Sequence, residues 1–481
     1  MATVTVPHQR KGAKLYLAAS MVAPVVALVR NIAIARLLGV EMFGLAVTII
    51  LTAQFFDTIT DAGIDKYIVQ DADGNDPDVQ GNAQLAMIVR GLISAVAMAA
   101  CASPLAAFYG QPQLTGALVE LALVPLLGGF LHLDMRRFQK AGNFRAEALM
   151  IIIAETLSLV AAVIAAWWLR DFRAAVYSLV VRSLMMVVVS HVMAERPYRV
   201  RFVAEQAKRL TRFGWPLLIN ATMLFFAGQG DRLLIGNQLG PAKLGLYSTT
   251  LLLIFYPCTV LHRYLSGIHF PAIVAARDTD GGITDAEETL KGDLLLAGVI
   301  GALGFVIVAP VVLIHVYGRD FASPALLVGL IGVLQVIRML RGWPATVAFA
   351  LGRTGNILIG NLTRLIAFPL GLAGIMLGYD LIGLTIGFII GEFIALAITV
   401  IMLTLVLKRP LSSLVGVGTI IAANSVLVAC VGLILQDPRH QSYWWGALLS
   451  MIVLAFALVR DQSILIALRS GFAKARKLVR K

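Results

Sequence analysis

Apolar stretches of about twenty residues recur from Lys14 to Arg460, separated by short polar turns. A bilayer's hydrocarbon core is about 30 Å thick, so one helical crossing takes about 20 mostly apolar residues. Backbone polar groups in lipid must be satisfied within the segment, and stretches of this length do that only as helices. The pattern predicts an all-α integral membrane protein of about fourteen transmembrane helices. The first two are expected at 14–38 and 43–65, the fourth at 114–133, the tenth at 322–345, and the last pair at 411–435 and 443–460. The first stretch begins like a signal peptide but is too long for one, and it reads as a retained helix.

Composition agrees: 59% of residues are hydrophobic and 14% charged. Mean hydropathy is +0.85, which a water-facing surface would not carry. The net charge of +13 does not mark a nucleic-acid binder, because the basic residues sit in turns and in the tail Arg469–Lys481 without interleaved aromatics. Their distribution gives an orientation instead. With the N-terminus in the cytoplasm, the outer side receives only Arg170, Arg173, Lys243, Arg319 and Arg439. That asymmetry fits the positive-inside rule and places both termini in the cytoplasm.

Cys101, Cys258 and Cys430 lie far apart in separate apolar stretches and make neither a disulfide framework nor a metal pair. The histidines show no ligand spacing, and no nucleophile triad or acid–base pair stands out, so no catalytic or metal site and no cofactor is expected. A membrane-embedded polymerase or glycosyltransferase would need larger loops than this chain offers.

Leu38-Gly39-Val40-Glu41-Met42-Phe43-Gly44-Leu45 aligns with Leu239-Gly240-Pro241-Ala242-Lys243-Leu244-Gly245-Leu246 at an offset of 201 residues. Ala141-Gly142-Asn143-Phe144-Arg145 echoes Leu351-Gly352-Arg353-Thr354-Gly355. An offset spanning six helices predicts two parallel six-helix bundles, at 1–200 and 201–410, followed by an extra helix pair and basic tail at 411–481. Parallel repeats of this kind support alternating access.

The stretch Ala35–Leu45, with Asp61-Ala62-Gly63-Ile64 and Gln70 after it, resembles the start of the Wzx-type polysaccharide flippases. So does Phe213-Gly214-Trp215-Pro216-Leu217-Leu218-Ile219-Asn220 followed by Gly230-Asp231-Arg232-Leu233-Leu234-Ile235-Gly236. These belong to the MOP superfamily, with lipid II flippases and MATE multidrug exporters as cousins and as the alternative readings here. The resemblance covers the first twelve predicted helices. It implies a protein of the bacterial inner membrane that moves undecaprenyl-diphosphate-linked oligosaccharides across the bilayer for exopolysaccharide, capsule or O-antigen synthesis. Membrane lipids, a polymerase and chain-length components would be its partners.

Nine arginines fall inside predicted helices: Arg30, Arg36, Arg90, Arg182, Arg232, Arg263, Arg338, Arg341 and Arg364. Each costs at least about 2.5–3.5 kcal/mol near the bilayer centre, so they are expected to face a cavity or pair with acids. Guanidinium binds phosphate bidentately and stays charged at any relevant pH. Arg30, Arg232, Arg263 and Arg364 are the candidates for a phosphate and sugar cavity, with Asn220 and Gln229 as sugar contacts. The acids within predicted helices are Asp57, Asp61, Glu120, Glu155, Asp231 and Glu392, with Asp65 at the cytoplasmic end of the second, and Asp57, Asp61 and Asp65 are spaced as one helical stripe. Asp57, Asp61 and Asp231 are candidates for a gate, for H⁺ or Na⁺ coupling, or for structural ion pairs, and the sequence leaves the three open.

Overall fold

The computed structural model describes residues 12–277, 282–407 and 412–467. Helices follow one another throughout, and no strand occurs among the described residues. The order is α1 Ala13–Thr60, α2 Ile64–Gln70, α3 Pro77–Ala100, α4 Ala102–Phe108, α5 Leu114–Leu121, α6 Leu123–Gly128 and α7 Asp134–Lys140. It continues with α8 Arg145–Leu169, α9 Arg173–Val192, α10 Ala204–Gln238, α11 Pro241–Ala276 and α12 Gly282–Val316. The remainder is α13 Ala325–Leu340, α14 Gly342–Ala350, α15 Thr354–Thr363, α16 Ala367–Met376, α17 Asp380–Val406, α18 Ser412–Gln436 and α19 Gln441–Arg460. The chain forms two compact units, one drawn from Met1–Gln229 and Ile235–Gly245, the other from Gly230–Leu234 and Leu246–Lys481.

Among the described residues, 11 helices are long and apolar enough to cross a membrane. The protein is a multi-pass membrane protein. The difference from about fourteen has identifiable causes. The first two expected crossings form one continuous stretch, broken only where Gly39 leaves helical geometry at φ 80° and ψ 176°. The expected crossing at 114–133 divides into α5 and α6, leaving a shorter apolar segment, Leu114–Gly128. Helix α10 is long enough but interrupts its apolar surface with Asn220, Gln229, Asp231, Arg232 and Asn237. The basic tail Arg469–Lys481 and the N-terminal Arg10 and Lys11 lie outside the described residues.

The repeated turns share their backbone. Gly39 and Gly240 both take positive φ, 80° and 84°, as do Gly142 and Gly352, 76° and 70°. The equivalent glycines Gly44 and Gly245 then meet the opposite turn. A Cβ at Gly44 would lie 1.7 Å from the Pro241 carbonyl oxygen, and one at Gly245 would lie 2.2 Å from that of Val40. The two turns therefore pack on each other reciprocally, at a distance that only glycine permits.

In the second unit, α16 packs on α17 along Gly383, Gly387 and Gly391, one small-residue stripe at helical spacing. The stretch Ala325–Ala350 is apolar nearly all round and 78% buried, so it is the central element of that unit. Helix α19, only 11% buried over its apolar window, presents its side chains outward. Trp167, Trp168, Trp444 and Trp445 are all exposed at helix ends, the position of an interfacial aromatic belt.

The expected stripe of three aspartates on one helix needs correction. Helix α1 ends at Thr60, Gly63 adopts φ 64°, and α2 starts afresh at Ile64. Asp61 caps the break by accepting a hydrogen bond from the Gly63 N–H at 3.0 Å. The chain turns there because glycine reaches the left-handed region without steric cost. Asp57 and Asp61 then pair with Arg90, whereas Asp65 pairs with Arg136.

Candidate functional site

Each unit gathers its buried charges into ion-pair networks of its own. In the first, Glu155 on α8 holds Arg30 of α1 at 3.2 Å and Arg182 of α9 at 2.5 Å. Arg30 also donates to the Ser158 hydroxyl at 2.7 Å, which in turn donates to the Ser178 carbonyl at 2.8 Å. Arg90 on α3 meets Asp57 at 2.5 Å and Asp61 at 3.8 Å. Asp57 is mostly solvent-exposed, its side chain 78% accessible.

At the short helix α7, Arg136 bridges Asp65 at 2.7 Å and Glu147 at 2.5 Å. Arg137 pairs with Asp134 at 2.5 Å and Glu195 at 2.8 Å. Asp134 also accepts the backbone N–H groups of Glu195 and Arg196. Burial alone would raise the Asp134 pKa, but the Arg137 guanidinium and these two amides outweigh it and hold the carboxyl below its ordinary range.

The second unit concentrates its arginines around one carboxylate. Glu392 on α17 is 1% exposed. Arg364 donates to it from Nη2 at 2.9 Å and from Nε at 3.0 and 3.1 Å. Arg338 on α13 donates to it at 2.9 Å and reaches Asp231 at 3.3 Å. Fully buried Asp231 also accepts the Tyr247 hydroxyl at 3.0 Å. Arg341, one turn beyond Arg338, comes no nearer to Glu392 than 3.6 Å, and its Nε has no hydrogen-bond partner. Arg232 adds a fourth guanidinium, half-buried, with its Nε likewise unpaired. Three guanidiniums share two carboxylates, with Arg232 next to Asp231 in the chain, and the cluster carries a surplus of positive charge.

Beside this network lies a cavity of about 210 Å³, walled by His262, Arg338, Arg341, Asn356, Asn361 and Thr399 among others. Two close approaches shape it. A Cβ at Gly342 would fall 1.8 Å from the His262 ring, and one at Gly360 would fall 2.3 Å from Thr399 Cγ2. Fixed cations, amides and a hydroxyl converge on one space, a combination that binds an oxyanion carrying hydroxyl groups.

The expected site residues distribute as follows. Arg364 and Asp231 belong to the Glu392 network, and Arg232 lies next to Asp231. Arg263 is exposed and has no ion-pair partner among the described residues. Arg30 is engaged by Glu155, and Asp57 and Asp61 by Arg90. Asn220 is half-buried on α10, and the Gln229 carbonyl is buried without a hydrogen-bond partner. The cavity-lining Asn356, Asn361 and Thr399 went unrecognised in the sequence, where isolated amides in apolar helices carry little signal. Arg338 and Arg341 were legible as intramembrane arginines, but Glu392 as their common partner was not.

A family model described as "Polysaccharide biosynthesis protein" matches residues 33–328. The chain belongs to this family. Among curated polysaccharide biosynthesis proteins, it is 28% identical over 246 residues to the succinoglycan biosynthesis transport protein ExoT of Rhizobium meliloti, covering 50% of this chain and 48% of that one. It is 22% identical over 293 residues to the amylovoran biosynthesis protein AmsL of Erwinia amylovora, covering 60% and 75%. The chain thus spans about half the length of the first relative and three quarters of the second.

Among solved structures, this polysaccharide biosynthesis protein shares the fold of lipid II flippase MurJ in an inward closed conformation. That match has TM-score 0.69 and 12% identity and covers 97% of this chain and 100% of MurJ. It also shares the fold of an inward-facing multidrug resistance MATE family transporter of the MOP superfamily, with TM-score 0.65 and 13% identity over 82% and 98% of the two chains. The fold is therefore that of MOP-superfamily transporters.

Proposed function

We propose that the protein is a flippase that carries undecaprenyl-diphosphate-linked oligosaccharide repeat units across the bacterial inner membrane for surface polysaccharide synthesis, with both termini cytoplasmic. The observation that carries this reading is the surplus of guanidinium over carboxylate in the second unit, where Arg338, Arg341 and Arg364 share Asp231 and Glu392 and the neighbouring Arg232 adds a further positive charge. An isoprenoid tail stays in lipid, but its diphosphate and sugars cannot cross hydrocarbon without polar partners. Fixed guanidiniums replace the water that the phosphates lose. The family and the relative described as a succinoglycan transport protein support the same substrate class.

A lipid II flippase is the neighbouring reading, and a multidrug exporter the more distant one. An exporter of cationic drugs would need surplus carboxylate, the opposite of what surrounds Glu392. Coupling to H⁺ or Na⁺ would fall to Asp57 or Asp61, the carboxylates beside Arg90. Polymerase and chain-length components of the pathway would act on the delivered repeat unit.

Deletion of the gene tests the proposal. Cells should lose surface polysaccharide and accumulate lipid-linked repeat units, and the wild-type gene should restore export. A chain carrying both Arg338→Gln and Arg341→Gln should not. Normal surface polysaccharide in the deletion strain would remove the proposal.

A further inference from the structure

The surplus charge in the second unit has a definite address. Arg364 spends the Nε/Nη2 edge of its guanidinium on Glu392. Arg338 divides itself between Glu392 and Asp231. Arg341 is tied loosely: 3.6 Å to Glu392, and 3.4 Å each to the Gly360 carbonyl and the Asn361 side-chain oxygen. Its Nε, the atom 3.6 Å from Glu392, is buried and makes no hydrogen bond. A charged group buried without full pairing is costly unless a ligand completes it. Arg341 stands on the cavity wall beside Arg338, with His262, Asn356, Asn361 and Thr399 around the same space, and of the two arginines it is the less fully paired.

Those neighbours are matched to hydroxyl groups. Asn361 accepts from Arg341 through its oxygen, which leaves its amide hydrogens to donate. The Thr399 hydroxyl donates to the Ala395 and Leu396 carbonyls of its own helix, so it faces a ligand as an acceptor. The Asn356 side chain has no hydrogen-bond partner among the described residues and supplies both functions. The volume, about 210 Å³, lies below the roughly 300–1,000 Å³ of sites for drug-sized ligands. An oligosaccharide does not fit, whereas one small charged group with hydroxyls does.

We propose that this cavity is a sugar-phosphate subsite, in which Arg341 anchors a phosphate oxygen and Asn356, Asn361 and Thr399 bind the hydroxyls of the sugar attached to it. The assignment rests on the flippase reading for its place in transport, since the phosphate-linked sugar would be the first residue of the repeat unit. It adds that selection among substrates happens at that first sugar and within the second unit alone. His262 forms part of the wall, seated on Gly342 where no other residue would admit its ring. Its Nδ1 lies 3.4 Å from the Ser266 hydroxyl, which fixes the ring's orientation.

Isothermal titration of the purified full-length protein with inorganic phosphate, glucose, glucose 1-phosphate and galactose 1-phosphate tests the subsite. At least one sugar phosphate should bind more tightly than phosphate or free glucose. Arg341→Gln should weaken it about tenfold, the loss of one charge-assisted contact, with Arg341→Lys intermediate. Asn356→Ala combined with Asn361→Ala should lower sugar-phosphate affinity to that of inorganic phosphate and leave phosphate binding unchanged. Sugar phosphates that bind wild type no better than phosphate would overturn the subsite, as would unchanged binding to Arg341→Gln. The wild-type comparison decides even if a variant fails to fold. Because the ligands are soluble and no translocation is measured, the result is independent of the flippase reading. Specific binding by a protein whose deletion leaves surface polysaccharide intact would keep the subsite and remove the flippase.

Discussion

Arg364 grips Glu392 through the Nε/Nη2 edge of its guanidinium, with three donor–acceptor distances between 2.9 and 3.1 Å, in a place where Glu392 is 1% exposed. The same carboxylate serves Arg338 at 2.9 Å. Removing its charge leaves several buried guanidiniums to repel one another. Glu392→Gln should therefore destabilise the protein by about 3–5 kcal/mol, the range for breaking a buried pair from one side. Thermal unfolding in detergent and the amount of protein in membranes measure this. Arg341→Gln should leave both close to wild type, because it removes surplus charge.

The equivalent hub in the first unit is better provided. Glu155 keeps Arg182 at 2.5 Å when Arg30 is lost. Arg30→Ala should cost about 1.5–3 kcal/mol, the value of hydrogen bonds to a charged group, and less than Glu155→Gln. Unfolding midpoints of the two variants decide the order. If Arg30→Ala proves the more damaging, Arg30 does more than neutralise Glu155.

The fold was legible because lipid imposes one strong rule, and the apolar stretches and their glycine turns obey it. Gly39 and Gly240 could be paired from sequence, and their shared positive φ follows from the same local chemistry. The reciprocal seating of Gly44 and Gly245 was not legible, since it depends on which turns meet. The arginines announced themselves by their cost in a membrane, but their partners did not. Glu392 lies 54 residues from Arg338 and 28 from Arg364, separations at which sequence carries no pairing signal. The aspartate stripe failed for a local reason: the break at Gly63 divides a spacing that only an unbroken helix would align.

Asp134 makes stability depend on pH in a defined window. Its carboxyl is held below the ordinary value of 3.8 by Arg137 and two backbone amides, against the opposing effect of burial. A depressed carboxylate contributes its stability in full above that ordinary value, and the contribution is lost as pH falls through the folded-state value. Asp134→Asn should thus unfold at a lower temperature than wild type at pH 6. The gap should narrow as the pH is lowered below about 4, where the unfolded carboxyl protonates. A gap independent of pH would mean that Asp134 acts through shape rather than charge.

Orientation can be read by labelling. Glu41 and Ala242 are exposed at the paired turns, and Ala141 is exposed at the turn before α8. In a background without native cysteines, Glu41→Cys and Ala242→Cys should react with a membrane-impermeant thiol reagent added to intact cells. Ala141→Cys should react only after the inner membrane is opened. The reverse pattern would invert the orientation inferred from the basic residues.

Transbilayer movement itself is the most direct test. Purified protein would be reconstituted into liposomes bearing a labelled undecaprenyl-diphosphate-linked repeat unit in both leaflets, and a glycosidase or lectin would be added outside. Protein-containing vesicles should expose nearly all of the saccharide, whereas vesicles with Arg338→Gln and Arg341→Gln together should expose only the outer-leaflet half, as protein-free ones do. If wild-type vesicles also stop at the outer-leaflet half, the protein does not flip this lipid and the account is wrong.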